Sequence, residues 1–305
     1  MTVLVADRIS SVGIERLEAA GHSVVERPGL SGEALVEALA EHRPQVLIVR
    51  STKVTPQALD ASPHLALIVR AGAGYDTIDV DGASGRGIYV ANCPGKNSVA
   101  VAELTMGLIL ALDRRIPDNV IDARSGTWNK KTYAQAEGIK GRTLGIVGLG
   151  NIGTEVRRRA QAFDLDVVAW SRSLTKDRAE EAGIAYAESP RHVAQSADIV
   201  TFHVAATPDT KNLADRAFFE AMPDGGLFVN TTRASVVDED ALKWAMDEKG
   251  ILAALDVMEG EPSYKQGDFE HPLADHPNLY LTHHIGASTQ QAQDATAVEA
   301  ARVVG

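Results

Sequence analysis

Apolar residues fall along this chain in short runs separated by longer amphipathic stretches. Residues 2–6, 23–26, 45–49, 65–69 and 88–91 are compact apolar runs of strand length. A second series follows at 144–147, 166–170, 199–203, 227–230, 253–256 and 279–282. Between them the apolar spacing turns helical at 11–20, 31–42, 99–112, 154–163 and 287–303. Gly21 ends the first of these helices, and Ser31 caps the second, which stops before Pro44. Strands alternating with helices in this rhythm predict parallel α/β sheets, one per series. The 99–112 helix is the natural crossing between them. The 124–140 stretch is polar and irregular, with Trp128 and Tyr133 expected to anchor it by packing.

The start of the second series is the most informative stretch. Its strand runs into Gly148, Gly150 and Gly153, spaced G-x-G-x-x-G, and a helix with Val156, Ala160 and Phe163 on one face follows. Between a strand and a helix, these glycines supply a tight turn, close approach of backbone to a pyrophosphate, and close helix–strand contact. The helix N-terminus then offers free N–H groups to phosphate oxygens. A dinucleotide site is the reading.

Composition removes other classes. The 305 residues suggest about two domains. With 30 basic and 41 acidic side chains, the formal charge of −11 disfavours nucleic acid or an anionic membrane as partner. One cysteine, Cys93, allows neither an intrachain disulfide nor a cysteine-built zinc cage, and no metal site is expected. Residues 1–7 carry no secretory signal, and 99–112 is too short and polar to span a bilayer. The expectation is a cytoplasmic protein.

Three polar groups sit at or after strand ends of the second series: Arg233 after V-N-T-T, Glu261 in L-D-V-M-E-G-E-P, and His284 in T-H-H-I-G-A-S-T. Each alone has an ordinary reading, as a solvated charge or a turn residue. Together they form a set for hydride transfer at a carbonyl. Histidine exchanges the proton of the substrate oxygen near neutral pH. A glutamate beside it stabilises the imidazolium that forms, and arginine grips a carboxylate while polarising the adjacent carbonyl.

The order and wording of these motifs resemble the D-isomer-specific 2-hydroxyacid dehydrogenases, most nearly the D-3-phosphoglycerate dehydrogenase branch. The resemblance runs over nearly the whole chain, through R-S-T-K-V-T (50–55), R-A-G-A-G-Y-D-T-I-D (70–79), N-C-P-G-K-N-S-V-A-V-A-E (92–103), G-I-V-G-L-G-N-I-G (145–153), H-V-A-A-T-P-D-T (203–210), N-T-T-R-A-S-V-V-D (230–238), L-D-V-M-E-G-E-P (255–262) and H-H-I-G-A-S-T (283–289). It implies two doubly wound, Rossmann-like domains with the active site in the cleft between them. The substrate domain would be 1–98 plus 287–305, and the dinucleotide domain 99–286. Arg233, Glu261 and His284 match the family's catalytic set. Gly148, Gly150, Asn151, Ile152, Gly153, Val204, Thr231, Thr232, Asp256 and Gly286 match cofactor contacts, Asp256 holding the nicotinamide carboxamide. Arg50, Ser51, Ala73, Gly74 and Asn97 match substrate contacts. The implied reaction is reversible oxidation of a D-2-hydroxy acid, D-3-phosphoglycerate first, by NAD or NADP. The rivals are a glyoxylate or hydroxypyruvate reductase and a dinucleotide-sensing, corepressor-like binding protein. A homodimer is implied, with 99–115 and the segment after it as interface. An appended regulatory domain is not expected beyond Gly305.

The departures carry expectations of their own. His283 replaces the family's proline, so two histidines adjoin; His284 is chosen because it precedes I-G-A-S-T. Ala205 replaces a proline beside the nicotinamide wall, and Ala234 a glycine after the arginine. At the end of 166–170 the family's acidic ribose ligand is replaced by Ser171, followed by Arg172. That pair would accept a 2′-phosphate, unless Arg172 turns to solvent.

Overall fold

The computed structural model describes residues 1–262 and 267–305. They divide into two compact units, 1–100 with 287–305, and 101–286, so the division falls inside the helix Ser98–Arg114. The strands are β1 (Thr2–Val5), β2 (Ser23–Glu26), β3 (Val46–Val49), β4 (Leu67–Arg70) and β5 (Tyr89–Asn92) in the first unit. The second has β6 (Thr143–Val147), β7 (Asp166–Trp170), β8 (Ala185–Tyr186), β9 (Ile199–Phe202), β10 (Leu227–Asn230), β11 (Leu252–Leu255) and β12 (Leu279–Leu281). All pairings among them are parallel, as the rhythm of runs and helices predicts. The two-residue β8 lies in a four-residue apolar run, 184–187, that is not among the strands expected from the sequence.

The first sheet is ordered β2-β1-β3-β4-β5. Alternate residues feed two layers. Leu4, Leu47, Val49 and Ile68 pack with Leu35 and Leu39 on one face, while Val3, Val5, Ile48 and Val69 pack with Leu17, Ala300 and Val304 on the other. The last helix, Gln290–Val304, is therefore part of this unit's core. Thr289 caps it by accepting the Ala292 N–H at 3.2 Å.

The second sheet is ordered β12-β11-β10-β9-β6-β7-β8. The strand order reverses between β6 and β9, where Leu144 pairs Ile199 and Val147 pairs Phe202. In open parallel sheets that switch point leaves a crevice at the carboxyl ends of the strands. One face packs Ile146, Val229 and Ala254 against Met106 and Ile109 of the long helix. The other carries an aromatic cluster: Phe228 lies 5.0 Å from Phe219 and 5.6 Å from Phe202, edge-on or tilted.

Three expectations change. The glycine-loop helix starts at Asn151, capped by Gly150, because Thr154 N–H already bonds the Gly150 carbonyl at 2.9 Å. The 124–140 stretch follows a helix, Ile116–Arg124, and contains a short one, Lys130–Tyr133. Within it Tyr133 is held through its hydroxyl, which donates to Asp122 at 2.7 Å, but Trp128 is 86 % exposed and anchors nothing in the chain by itself. No helix among the described residues is long and apolar enough to cross a membrane.

Burial sets the expected cost of truncation. Phe228→Ala should lower unfolding stability in urea by about 3–5 kcal/mol, and Trp128→Ala by less than about 0.5 kcal/mol.

Candidate active site

Every strand of the second unit that carries a predicted site residue delivers it at its carboxyl end. After β6, Gly148 takes φ +104°, and a Cβ there would stand 2.6 Å from the His203 carbonyl oxygen. Its N–H donates to the Trp170 carbonyl at 2.7 Å, which seats the loop beside the end of β7. A Cβ on Gly153 would collide with the Gly148 carbonyl, so helix and turn touch through bare backbone. A Cβ on Gly150 would meet nothing. The N–H groups of Asn151, Ile152 and Gly153 have no acceptor among the described residues, as the first turn of a helix dictates. An open space flanked by unpaired N–H donors fits a dinucleotide pyrophosphate. Ser171 is half-buried in the turn after β7, its carbonyl accepting the Leu174 N–H at 3.1 Å, while Arg172 is exposed.

After β9, Val204 packs on Gly148, and the next residue's carbonyl, Ala205, accepts the Thr210 hydroxyl at 2.7 Å. The loop is thus held although the family's proline is absent. After β10, buried Asn230 builds the turn that presents Arg233. Its Oδ1 accepts the Thr232 N–H at 3.0 Å and the Thr232 hydroxyl at 2.7 Å, and its Nδ2 donates to the Arg233 carbonyl at 3.1 Å. Thr231 is buried, its hydroxyl 3.2 Å from that of Thr105. Arg233 Nη1 donates to the Thr232 carbonyl at 2.8 Å.

The ends of β11 and β12 meet through one carboxylate. Asp256 is 1 % exposed. Its Oδ1 accepts the Thr282 hydroxyl and the Ile285 N–H (2.9 Å), and its Oδ2 accepts the Gly286 N–H at 2.8 Å. A carboxylate offers about four lone-pair sites, so one remains for a further donor such as a carboxamide. The turn it holds contains His284 at φ +50°, a left-handed conformation uncommon outside glycine, though histidine adopts it more readily than most side chains. There His284 Nδ1 lies 2.8 and 3.0 Å from the two Glu261 oxygens. Nδ1 therefore carries the proton and donates it to Glu261, leaving Nε2 free for substrate. His283 is exposed on the adjoining position.

In the first unit the predicted residues also follow strand ends. Arg50 and Ser51 leave β3, Ala73 and Gly74 follow β4, and Asn97 follows β5. The Ala73 carbonyl accepts Asn92 Nδ2 at 2.6 Å, while the N–H groups of Ala73 and Gly74 have no acceptor among the described residues. Asn97 Oδ1 is buried and unpaired.

Sequence reasoning missed four residues that shape these loops. Asp7, just after β1, accepts the N–H groups of Arg50 (2.7 Å), Ser51 (3.0 Å) and Thr52 (2.9 Å) and the Ser51 hydroxyl (2.9 Å). Burial pulls its pKa up, but the backbone bonds from Arg50, Thr52 and Ser51 outweigh this and leave it below the ordinary value. Asn230 had a local signal, since asparagine after a strand bonds the backbone N–H two residues on. Thr282 had none. His203 is buried, its Nε2 3.1 Å from the Thr201 hydroxyl and its Nδ1 without a partner.

Comparison with known proteins gives a consistent picture. The model of the D-isomer specific 2-hydroxyacid dehydrogenase NAD binding domain matches residues 106–286. The chain is 38% identical over 295 residues to D-3-phosphoglycerate dehydrogenase of Archaeoglobus fulgidus, covering 96% of this chain and 54% of that protein. It thus spans about half the length of the curated D-3-phosphoglycerate dehydrogenases it matches. It is 38% identical over 256 residues to hydroxypyruvate reductase of Thermotoga maritima, covering 83% of this chain and 81% of that one. The crystal structure of the TT0316 protein of Thermus thermophilus superposes with a TM-score of 0.87 at 30% identity, over 99% of this chain and 94% of that one.

Burial pushes the His203 pKa down to about 3, so the folded protein keeps this ring neutral. The unfolded chain protonates it below about pH 6.5. The depressed value therefore leaves stability whole above about pH 6.5 and erodes it as the pH falls toward the folded value. His203→Gln should flatten this acid limb by up to about 1.4 kcal/mol per pH unit, read from urea midpoints across the range.

Proposed function

The chain belongs to the D-isomer specific 2-hydroxyacid dehydrogenases, and from that premise we propose that it reversibly oxidises a D-2-hydroxy acid, D-3-phosphoglycerate, to the 2-oxo acid. The observation that carries the chemistry is the His284–Glu261 pair at 2.8 Å, held at the carboxyl ends of β11 and β12. The phosphorylated substrate draws on the D-3-phosphoglycerate dehydrogenases, each matched over nearly all of this chain.

A nicotinamide dinucleotide bound at Gly148–Gly153 supplies the hydride acceptor or donor. The chain's own residues do the rest. In oxidation, His284 Nε2 takes the hydroxyl proton while its Nδ1–H stays on Glu261, so the imidazolium forms against a fixed carboxylate. Arg233 grips the substrate carboxylate and polarises the carbonyl. In the first unit, the unpaired N–H groups of Ala73 and Gly74 offer a cradle for a carboxylate, and Arg50 offers a cation for a phosphate. Asp256 keeps one lone-pair site for the carboxamide.

A second reading, reduction of hydroxypyruvate or glyoxylate with NADPH, is favoured by Ser171 at the position of the ribose acid and by the Thermotoga maritima reductase, most of whose length the chain covers. Without a carboxylate at 171, nothing on that strand end repels a 2′-phosphate. Arg172 is exposed, with no hydrogen bond or ion pair among the described residues, and is free to meet one. NADP(H) is therefore used at least as well as NAD(H). We also assign a homodimer, in which a second copy covers Ile116, Val120, Ile121 and Trp128, all exposed in the single chain.

A turnover panel of 2-hydroxy and 2-oxo acids, run with both cofactors, tests these readings. Oxidation of D-3-phosphoglycerate is expected, with Arg50→Ala weakening it far more than glyoxylate reduction. Equal loss for both would favour the reductase, and binding of cofactor with no turnover at all would favour a sensing protein. His284→Ala should cut turnover by about 10²–10⁴-fold with cofactor affinity kept. Ser171→Asp should shift binding toward NADH, and clearly tighter NADH than NADPH binding by the unaltered protein would end the cofactor proposal. Light scattering should give two copies, and Ile121→Glu should give one.

A further inference from the structure

Glu261 stands on irregular chain, with no helix or strand of its own to aim it. What holds it is found at the start of another element. Glu239 opens the helix Glu239–Lys249, whose N-cap is Asp238. Its Oε1 accepts the backbone N–H of Glu259, two residues before Glu261, at 2.7 Å. Its Oε2 lies 3.1 Å from His271 Nε2, with both side chains largely buried. The Leu273 N–H donates to His271 Nδ1 at 3.3 Å, so the ring proton sits on Nε2 and is given to Glu239. Phe269 stacks on the His271 ring, planes 6° apart. One carboxylate thus closes on Glu259, two residues before Glu261, and on His271.

The same device recurs further along the helix. His276 Nδ1 accepts the Asn278 N–H at 3.1 Å, and its Nε2 meets Asp247 at 3.1 Å. Two histidine–carboxylate clasps therefore strap residues 271–278 along the helix, but only the first also takes a backbone N–H next to Glu261. The helix N-terminus further favours a carboxylate at Glu239.

We propose that Glu239 is the positioning residue that holds Glu261 against His284, acting through the Glu259 N–H, with the His271 clasp fixing the Glu239 carboxylate in place. This rests on the proposed dehydrogenase chemistry for its effect on rate, but not for its effect on geometry. With Glu239 gone, Glu261 loses its fixed distance from His284, and misplacement on the ångström scale costs up to about a hundredfold in rate.

The test uses the full chain with D-3-phosphoglycerate and NAD, and with hydroxypyruvate and NADPH. Glu239→Ala should lower kcat by about tenfold to a hundredfold at unchanged cofactor Kd. Glu239→Gln, which keeps the acceptor for Glu259 but sets an N–H against that of His271, should fall between. On a Glu261→Gln background, Glu239→Ala should cost almost nothing further, because its only route to the rate has been removed. Asp247→Asn, which opens the other clasp, should leave kcat unchanged. Independent of turnover, the Glu259 amide should exchange faster in Glu239→Ala, and the His284 ring nitrogen resonances should move toward those of Glu261→Gln. Losses that multiply in the double variant, or His284 resonances that stay put, would overturn the proposal. If the unaltered protein oxidises or reduces no 2-hydroxy or 2-oxo acid, the functional reading fails separately, and the exchange and resonance measurements still decide the clasp.

Discussion

The buried carboxylate of Asp256 is the interaction on which the rest of the site depends. An ionised group at 1 % exposure carries a desolvation cost of several kcal/mol unless donors surround it. Here the donors are the Thr282 hydroxyl and the N–H groups of Ile285 and Gly286, all from one turn. The carboxylate and the turn satisfy each other, and the turn can then hold His284 at a positive φ. Such a conformation costs about 1–3 kcal/mol and persists only where its surroundings fix it. The Nδ1 contact with Glu261, and with it the free Nε2, follows from that constraint.

The first unit solves the same problem in the same way. Parallel strands leave unpaired N–H groups in the loops beyond their carboxyl ends, and an acceptor-only side chain on a neighbouring strand can gather several of them. Asp7 after β1 gathers those of Arg50, Ser51 and Thr52, as Asp256 after β11 gathers those beyond β12. Where no carboxylate is available, an amide serves: Asn230 organises the turn before Arg233, and Asn92 holds Ala73. The glycine loop is the exception that shows the rule. There N–H groups are left unpaired, and Gly150 leaves the space in front of them open.

Much of this was legible in the chain alone. Apolar runs give parallel strands because both faces of each are covered, and the glycine spacing gives the loop because only bare backbone lets Gly153 touch Gly148. Family wording supplied Arg233, Glu261 and His284 as candidates, and the identity of the reacting groups is a matter of side-chain type, which sequence states directly. Asn230 was within reach as well, through its local bond to Thr232.

Other features are decided by contacts between residues far apart in the chain, which no local pattern encodes. Trp128 reads as an anchor by its size, yet nothing in the single chain covers it. His203 reads as a strand-end polar residue, yet burial in the packed unit keeps it neutral. Asp7 meets residues beyond β3, and Glu239 meets both Glu259 and His271, across separations that only folding closes. The sequence determined which chemical groups stand at the strand ends, because strand length and glycine spacing are local. Which of those groups are spent holding loops, and which are left free to act, was decided by the tertiary structure, because a hydrogen-bond acceptor is committed only when its donors arrive.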